Sequence, residues 1–464
     1  MSPSMTIPST TGKTETITLI GAGLNGPLLA ISLVKRGFQV EIYERRPDMR
    51  QVQMSAGRSI NLALSTRGIH ALTKAGLWEG MRDIVIPMKG RMMHSVAGEL
   101  TFQRYGKDDA EVINSISRAE LNMALMTAAE ALGVTIHFRQ RCTGFDGKSG
   151  AMFLRNEETG SETSIQPGVV IGCDGSASAI RGEMLKMSRF NFSQQYLDYG
   201  YKELTIPASV AGAHLLEKHA LHIWPRGNYM LIALPNIDGT FACILFLPFE
   251  GSDSFASLRT PADVSRFFQE RFPDAAGLMP QLAENYFANP TGAMVTIKCS
   301  PWHVEDRLLL LGDAAHAIVP FFGQGLNCGF EDCTVFLQML DRYGDDWTRV
   351  LEEFETQRKV NTDAIADMAI ENFVEMRDRV ADPRFLFRKK VELELEARFP
   401  GVFVPKYAMV TFHRVPYSIA LARGAVQDQM LSQLCGSIER LEDLDWALAE
   451  RLVLSELTPL EQTS

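Results

Sequence analysis

The stretch TITLIGAGLNGPLLAISLVKRGFQVEIYE, residues 16–44, decides the fold. Its apolar, β-prone start predicts a buried strand over 16–20, its helical periodicity a helix over 24–36, and the next β-prone run a second strand over 39–43. A strand-helix-strand unit of this length joins two parallel neighbours, so a parallel sheet follows. Between the first strand and the helix lies Gly21-Ala22-Gly23-Leu24-Asn25-Gly26. A G-x-G-x-x-G in that place lets the chain turn tightly and brings backbone N–H groups up to a pyrophosphate at the helix N-terminus. Glu44, eighteen residues beyond Gly26, ends the second strand where a carboxylate can accept hydrogen bonds from an adenosine ribose. Turn, helix and acid together predict a dinucleotide site.

Working outward, strand signals at 58–64 and 112–116 alternate with helical patterns at 66–75 and 118–132 and continue the same domain. Consecutive strands are predicted at 200–206, 221–224, 229–235 and 240–248, with turn signals at 225–228 and 236–239, which is the pattern of an antiparallel sheet. A helix is predicted at 262–272. A buried strand at 308–311 then leads into Gly312-Asp313-Ala314-Ala315-His316 and returns the chain to the parallel sheet. Beyond Phe330 the periodicity is helical, with one long helix over 347–380. Residues 1–15, rich in Ser and Thr, are expected to be a disordered leader.

Composition narrows the function. With 464 residues, 46% of them hydrophobic, the chain can bury a large interior shared by more than one domain. The 46 Lys and Arg against 56 Asp and Glu give a net charge of -10, which argues against nucleic acid or an anionic membrane surface as a partner. Seven cysteines (142, 173, 243, 299, 328, 333 and 435) are scattered without a C-x-x-C pair, so neither a disulfide framework nor a metal site is expected, and a reducing cytoplasm suits them. The apolar run 17–34 is interrupted by Gly21, Gly23, Asn25, Gly26 and Pro27, and no membrane anchor is visible.

Two further constellations carry the chemistry: Gly172-Cys173-Asp174-Gly175-Ser176 with Ser178 and Arg181, and Gly312-Asp313 with Pro320 and Gly323-Gln324-Gly325-Leu326-Asn327. Asp313 at the end of a buried strand can bond a sugar hydroxyl, and the glycines before Leu326 open a helix whose N-terminus suits an anion or a carbonyl. The three motifs in this order resemble the single-component, class A FAD-dependent aromatic hydroxylases along nearly the whole chain. The resemblance implies an α/β fold: a Rossmann-like FAD-binding domain (16–80, 107–187 and 293–345), an inserted antiparallel substrate-binding sheet domain (81–106 and 188–292), and a C-terminal helical region (346–464). It also implies that Gly21, Gly23, Leu24, Gly26, Glu44, Arg45, Arg118, Asp174, Asp313, Gly325, Leu326 and Asn327 bind FAD.

Segments outside these motifs, among them 58–65, 89–92, 201–204, 221–225, 371–376 and 405–412, are similar to the members of that family that hydroxylate L-kynurenine in tryptophan catabolism. This closer resemblance implies that Arg91, Tyr105, Asn372 and Tyr407 hold the amino-acid end of the substrate. Leu221, Met230, Ile232, Leu234, Phe246, Pro320 and Phe321 would line the ring pocket. Read alone, Met230, Ile232 and Leu234 share one face of a strand by their period of two. The implied reaction gives 3-hydroxykynurenine, using NADPH and O2 through a flavin C4a-hydroperoxide, with no catalytic side chain and no metal. His316 reads as a packed structural residue. Phe322 stands where some relatives have His. No second glycine fingerprint is present, so NADPH over NADH rests on the resemblance, and nothing in the sequence bears on the oligomeric state. A hydroxylase of another aromatic acid would share these motifs. A non-catalytic binding protein on the same fold would not need Asp174, Arg181 and Asp313.

Overall fold

The computed structural model describes residues 16–52, 60–378, 382–436 and 438–460. The expected leader, the start of the strand expected at 58–64 and the end of the helix expected at 347–380 lie outside these residues. Thr16–Ile20 forms a central strand of a six-stranded sheet, as its apolar residues require: Ile17 and Leu19 are fully buried. The strand order is His303–Val304, Leu308–Leu310, Val169–Gly172, Thr16–Ile20, Gln39–Glu44, Thr135–Phe138, and only the first pair is antiparallel. Helix Asn25–Val34 connects Thr16–Ile20 to its parallel neighbour Gln39–Glu44, with Leu28 to Leu33 buried throughout.

The strand-helix alternation after residue 58 does not extend this sheet. Asn61–Leu64 and Ile113–Ser117 pair antiparallel with each other, and Val85–Met88 flanks them in a separate three-stranded sheet. The cause is polarity, because a strand buried between layers of helices has to be apolar on both faces, whereas these carry Asn61, Asn114 and Ser115. Asn61 Nδ2 donates to Ser115 Oγ and to the Pro235 carbonyl, each at 3.0 Å, and so stitches this sheet to the end of strand Met230–Pro235.

That strand belongs to a seven-stranded sheet ordered Thr291–Ser300, Asn191–Ile206, Phe241–Pro248, Met230–Pro235, Ala220–Pro225, Gly90–His94, Leu100–Arg104. Its ladders are antiparallel except where Gly90–His94 runs parallel to Ala220–Pro225. Alternation divides its side chains between two cores. Met230, Ile244 and Phe246 face inward with Phe321 and Phe373, while Leu231, Ala233 and Leu245 face outward onto Phe267, Phe268 and Phe272. Helix Pro261–Arg271, closed at its start by a Thr260/Asp263 capping box, supplies two of those outer rings.

The chain after Tyr343 is helical, as the periodicity predicts. Trp347–Asp378 has 32 residues and runs for about 48 Å. Val350, Leu351 and Phe354 pack it onto the six-stranded core, and Ile365, Met368 and Phe373 onto the inner face of the seven-stranded sheet, so one helix bridges both. Among the described residues no helix is long and apolar enough to cross a membrane. All seven cysteines are unbonded.

Candidate active site

A cavity of about 560 Å³ lies where the six-stranded sheet, the three-stranded sheet and the inner face of the seven-stranded sheet meet. One half is built from backbone turns. Gly21, with φ of 100°, crosses so close to the neighbouring strand that a Cβ would stand 2.6 Å from the Cys173 carbonyl oxygen. At Gly26 a Cβ would stand 2.1 Å from the Gly21 carbonyl, so this glycine seats the helix on the turn. Gly23 differs from both: a Cβ there would meet nothing within 4 Å, and the residue lines the cavity. Two glycines close the turn and the third leaves it open, as a backbone approach to a pyrophosphate requires.

Glu44 is 5% exposed and lines the same half. Its Oε2 accepts from the Ala22 N–H at 2.8 Å, and its Oε1 accepts from the Arg46 backbone and Nε at 2.8 and 2.9 Å. Burial alone would raise its pKa, and the Arg46 hydrogen bonds and charge reverse that, holding the carboxyl below its ordinary value. Arg46 had no signal in the sequence; only the folded chain shows it locking the acid. Leu24, Arg45 and Arg118 also line this half, together with Gln140 and Arg141, which sequence reasoning missed.

Asp174 Oδ2 accepts from the Ala179 N–H at 2.7 Å, while its Oδ1 is buried without a partner, as is Arg181 Nε. Asp313 is exposed in the cavity wall, and among the described residues nothing hydrogen-bonds to its carboxylate. Burial raises the pKa of Asp313, against the nearby charges of Arg118 and His316. Gly325 and Leu326 bring the N-terminus of helix Gly325–Tyr343 to the wall. Open glycine, unbonded carboxylate, orphaned buried atoms and two helix N-termini fit FAD, whose pyrophosphate and ribityl hydroxyls need those groups. Gly26 and Asn327 stand behind the wall rather than in it. Asn327 Oδ1 accepts from Ser65 N–H at 2.9 Å, and its Nδ2 donates to Ala63 O at 2.8 Å and Gly323 O at 3.0 Å, fixing the loop that does line it.

The other half is made of side chains. Leu221, Met230, Ile232 and Leu234 reach it from two strands, Phe246 from a third, and Pro320 and Phe321 from the turn after Asp313. Met230 pairs with Phe246 across the ladder. The Phe246 and Phe321 rings are 4.9 Å apart, and Phe321 stacks on Phe373 at 4.2 Å. Met88, Ile113 and Met376 also line it; the first two come from the three-stranded sheet, whose docking no local pattern announces.

This apolar half ends in a cation. Arg91 lies with its guanidinium carbon 5.0 Å from the Tyr407 ring centre and 5.5 Å from that of Tyr105, and the two rings are parallel within 14°. Arg91 Nε is buried without a hydrogen-bond partner. Burial opposes the charge, and the Tyr407 and Tyr105 oxygens with the Glu375 carboxylate outweigh it, so the guanidinium stays protonated. Phe322 stacks on Tyr407 at 5.4 Å. Asn372 is not in the wall: its Nδ2 donates to the Phe321 carbonyl at 2.7 Å and so holds that ring in place. His316 is also outside the wall, buried and bonded to Asp332.

The chain resembles known proteins along nearly its whole length. The family model for the FAD binding domain matches residues 13–368. The chain is 56% identical to kynurenine 3-monooxygenase of Myxococcus xanthus over 96% of both chains. It is 47% identical to that of Xanthomonas euvesicatoria, over 96% of this chain and 98% of the relative. Among solved structures, 2-methyl-3-hydroxypyridine-5-carboxylic acid oxygenase superposes with a TM-score of 0.66 at 20% identity, over 81% of this chain and 96% of that one, and Pseudomonas aeruginosa PqsL with 0.63 at 18%, over 79% and 97%. These two share the fold. With a flavin-shaped turn system on one side, a cation-capped aromatic pocket on the other and relatives this close over their whole length, the chain belongs to the kynurenine 3-monooxygenase family of FAD-dependent monooxygenases.

Proposed function

We propose that the protein hydroxylates L-kynurenine to 3-hydroxykynurenine, with FAD in the turn-lined half of the cavity, the substrate in the apolar half, and NADPH and O2 as co-substrates. The division into an FAD-binding domain, a substrate sheet and a helical cover follows the same two halves. When bound, FAD supplies the redox and oxygen chemistry that no side chain in the cavity can perform. The Gly21 to Gly26 turn and its helix N-terminus hold the pyrophosphate, Glu44 the adenosine ribose and Asp313 the ribityl chain, with Asp174 nearby. Arg91 receives the substrate carboxylate. Its planar fork can hold both oxygens, and the Tyr105 and Tyr407 hydroxyls complete the shell. Asn372 keeps Phe321 in the wall and reaches the amino acid only by exchanging that bond. Met230, Ile232, Phe246 and Phe321 clasp the ring and keep water away from the reacting carbon.

The observation that carries this reading is the half-buried Arg91, its Nε shut away without a hydrogen-bond partner, at the end of an apolar, ring-lined pocket. A zwitterionic amino acid with an aromatic side chain satisfies both ends at once, while an aromatic acid whose carboxylate sits on the ring would drag its ring towards Arg91. The test is a product assay with L-kynurenine, anthranilate and 4-hydroxybenzoate in parallel, each with NADPH and with NADH. Hydroxylated product is expected from kynurenine with NADPH; product from either benzoate at an equal rate would overturn the substrate. Seven unpaired cysteines, six of them buried, support a reducing cytoplasm as the site of action.

A further inference from the structure

His316 and Asp332 are buried, ionisable and absent from the cavity wall, so neither touches substrate or FAD in the arrangement above. Asp332 Oδ2 ties both to one turn. Asp332 Oδ2 accepts from the Gly312 N–H at 3.0 Å and faces His316 Nε2 at 2.7 Å, while its Oδ1 accepts from Arg358 Nε at 2.7 Å. One carboxylate oxygen therefore holds the residue just before Asp313 and the residue three places after it. Gly312 needs to be held. Its φ of 66° with ψ of -142° is a conformation that glycine alone adopts readily, and a Cβ there would stand 2.0 Å from Asn25 Nδ2.

The rest of the turn is fastened too. Arg181 Nη1 donates to the Ala314 carbonyl at 2.7 Å, and Trp302 lies against the His316 ring at 5.1 Å. Burial would lower the pKa of His316, but Asp332 and Cys328 lift it to about 10, so the ring is an imidazolium at neutral pH. His316, Cys328 and Asp332 stand close enough to share a metal ion. Arg358 bonds two of the three, with Nη2 3.3 Å from Cys328 Sγ and Nε 2.7 Å from Asp332 Oδ1.

We propose that Asp332, with His316, is a positioning pair that brackets Asp313 and presents its carboxylate to FAD. This rests on the assignment of Asp313 to FAD given above. Glu331, the adjacent residue, is the natural control: its carboxylate bonds Arg67 and Arg358 in the same buried network and makes no bond to the 312–316 turn.

The test follows FAD release from the holoenzyme by flavin fluorescence on dilution, alongside the melting temperature of each variant. In Asp332→Asn, whichever way the amide turns, a donor meets Arg358 or meets Gly312 and His316, and the FAD dissociation constant should rise at least about tenfold. Glu331→Gln should lower the melting temperature as much as Asp332→Asn does and leave FAD affinity within about twofold of the parent. His316→Gln, which keeps a donor for Asp332, should hold FAD nearly as the parent does, and His316→Leu should release it as Asp332→Asn does. Parental FAD affinity in Asp332→Asn, or equal loss in Glu331→Gln, overturns the pair. If Asp332→Asn yields no folded protein, parental affinity in His316→Leu overturns it equally. Asp313→Ala separates the two readings: unchanged affinity there removes the role of Asp313 itself, whereas weakened affinity beside an unaffected Asp332→Asn removes only the bracket.

Discussion

The two halves of the cavity are built by different means. The half assigned to FAD comes largely from three short runs, 21–26, 172–181 and 312–327, with Glu44 at the end of the next strand; within each run neighbours in sequence are neighbours in space, and the working groups are mostly backbone N–H and the carboxylates of Glu44, Asp174 and Asp313. The half assigned to substrate comes from single side chains on four strands of the seven-stranded sheet, on the three-stranded sheet, on the Tyr105 and Tyr407 segments and on the long helix, separated by more than three hundred residues. A cofactor with a fixed diphosphate can be met by a local turn. A small aromatic amino acid needs walls on every side, and only tertiary packing supplies them. Damage should accordingly be separable: variants in the first half should lose FAD, and variants in the second should keep FAD and lose substrate.

The largest effect expected is from Gly23→Val. The position has open space and no positive φ, so the protein should fold, and the side chain should fill the place of the pyrophosphate. FAD affinity should drop by about 100-fold or more, equivalent to some 3 kcal/mol. Flavin absorbance of the purified variant checks it, and full occupancy would join the two halves again by removing the turn from the FAD site.

Arg91→Met comes next. Leaving a buried carboxylate without its charged partner costs about 2 to 5 kcal/mol, so kynurenine binding should weaken roughly 30-fold or more while flavin content stays normal. Titration of the holoenzyme with kynurenine decides this, and parental affinity would move the carboxylate away from Arg91.

Glu44→Ala should weaken FAD binding by about tenfold, since the phosphate turn survives. It also carries a pH signature. The folded pKa of Glu44 lies below its ordinary 4.5, so its contribution to stability is complete above that pH and is lost only as pH falls through the depressed value. The difference in denaturation midpoint between parent and Glu44→Ala should therefore stay constant from neutral pH to about 4.5 and close below it. A difference that closed at higher pH would mean that Arg46 does not hold the acid. The smallest effects belong to Tyr105→Phe and Tyr407→Phe, each removing one neutral donor for about 1 kcal/mol, or roughly fivefold in kynurenine affinity, with FAD untouched.

The comparison also explains what could be read in advance. The strand, turn and helix at 16–44 are visible because glycine spacing and apolar periodicity are local properties. The inward face of Met230, Ile232 and Leu234 is visible for the same reason, as a period of two. Arg46 on Glu44, Asn372 on Phe321 and the retreat of Asn327 behind the wall were not visible, because each depends on a side chain choosing one partner among several that only the folded chain offers.

The sequence by itself determined the parallel βαβ start, the antiparallel insertion, the helical end and the three motifs that meet at one cofactor site, since each is written in spacings of a few residues. Tertiary structure alone decided that the polar strands at 61–64 and 113–117 leave the parallel sheet, that Tyr105 and Tyr407 stack around Arg91, and that one buried carboxylate, Asp332, brackets Asp313. The physical reason is range: propensity and periodicity act along the chain, whereas burial, charge pairing and ring packing are settled between segments that meet only when the whole chain has folded.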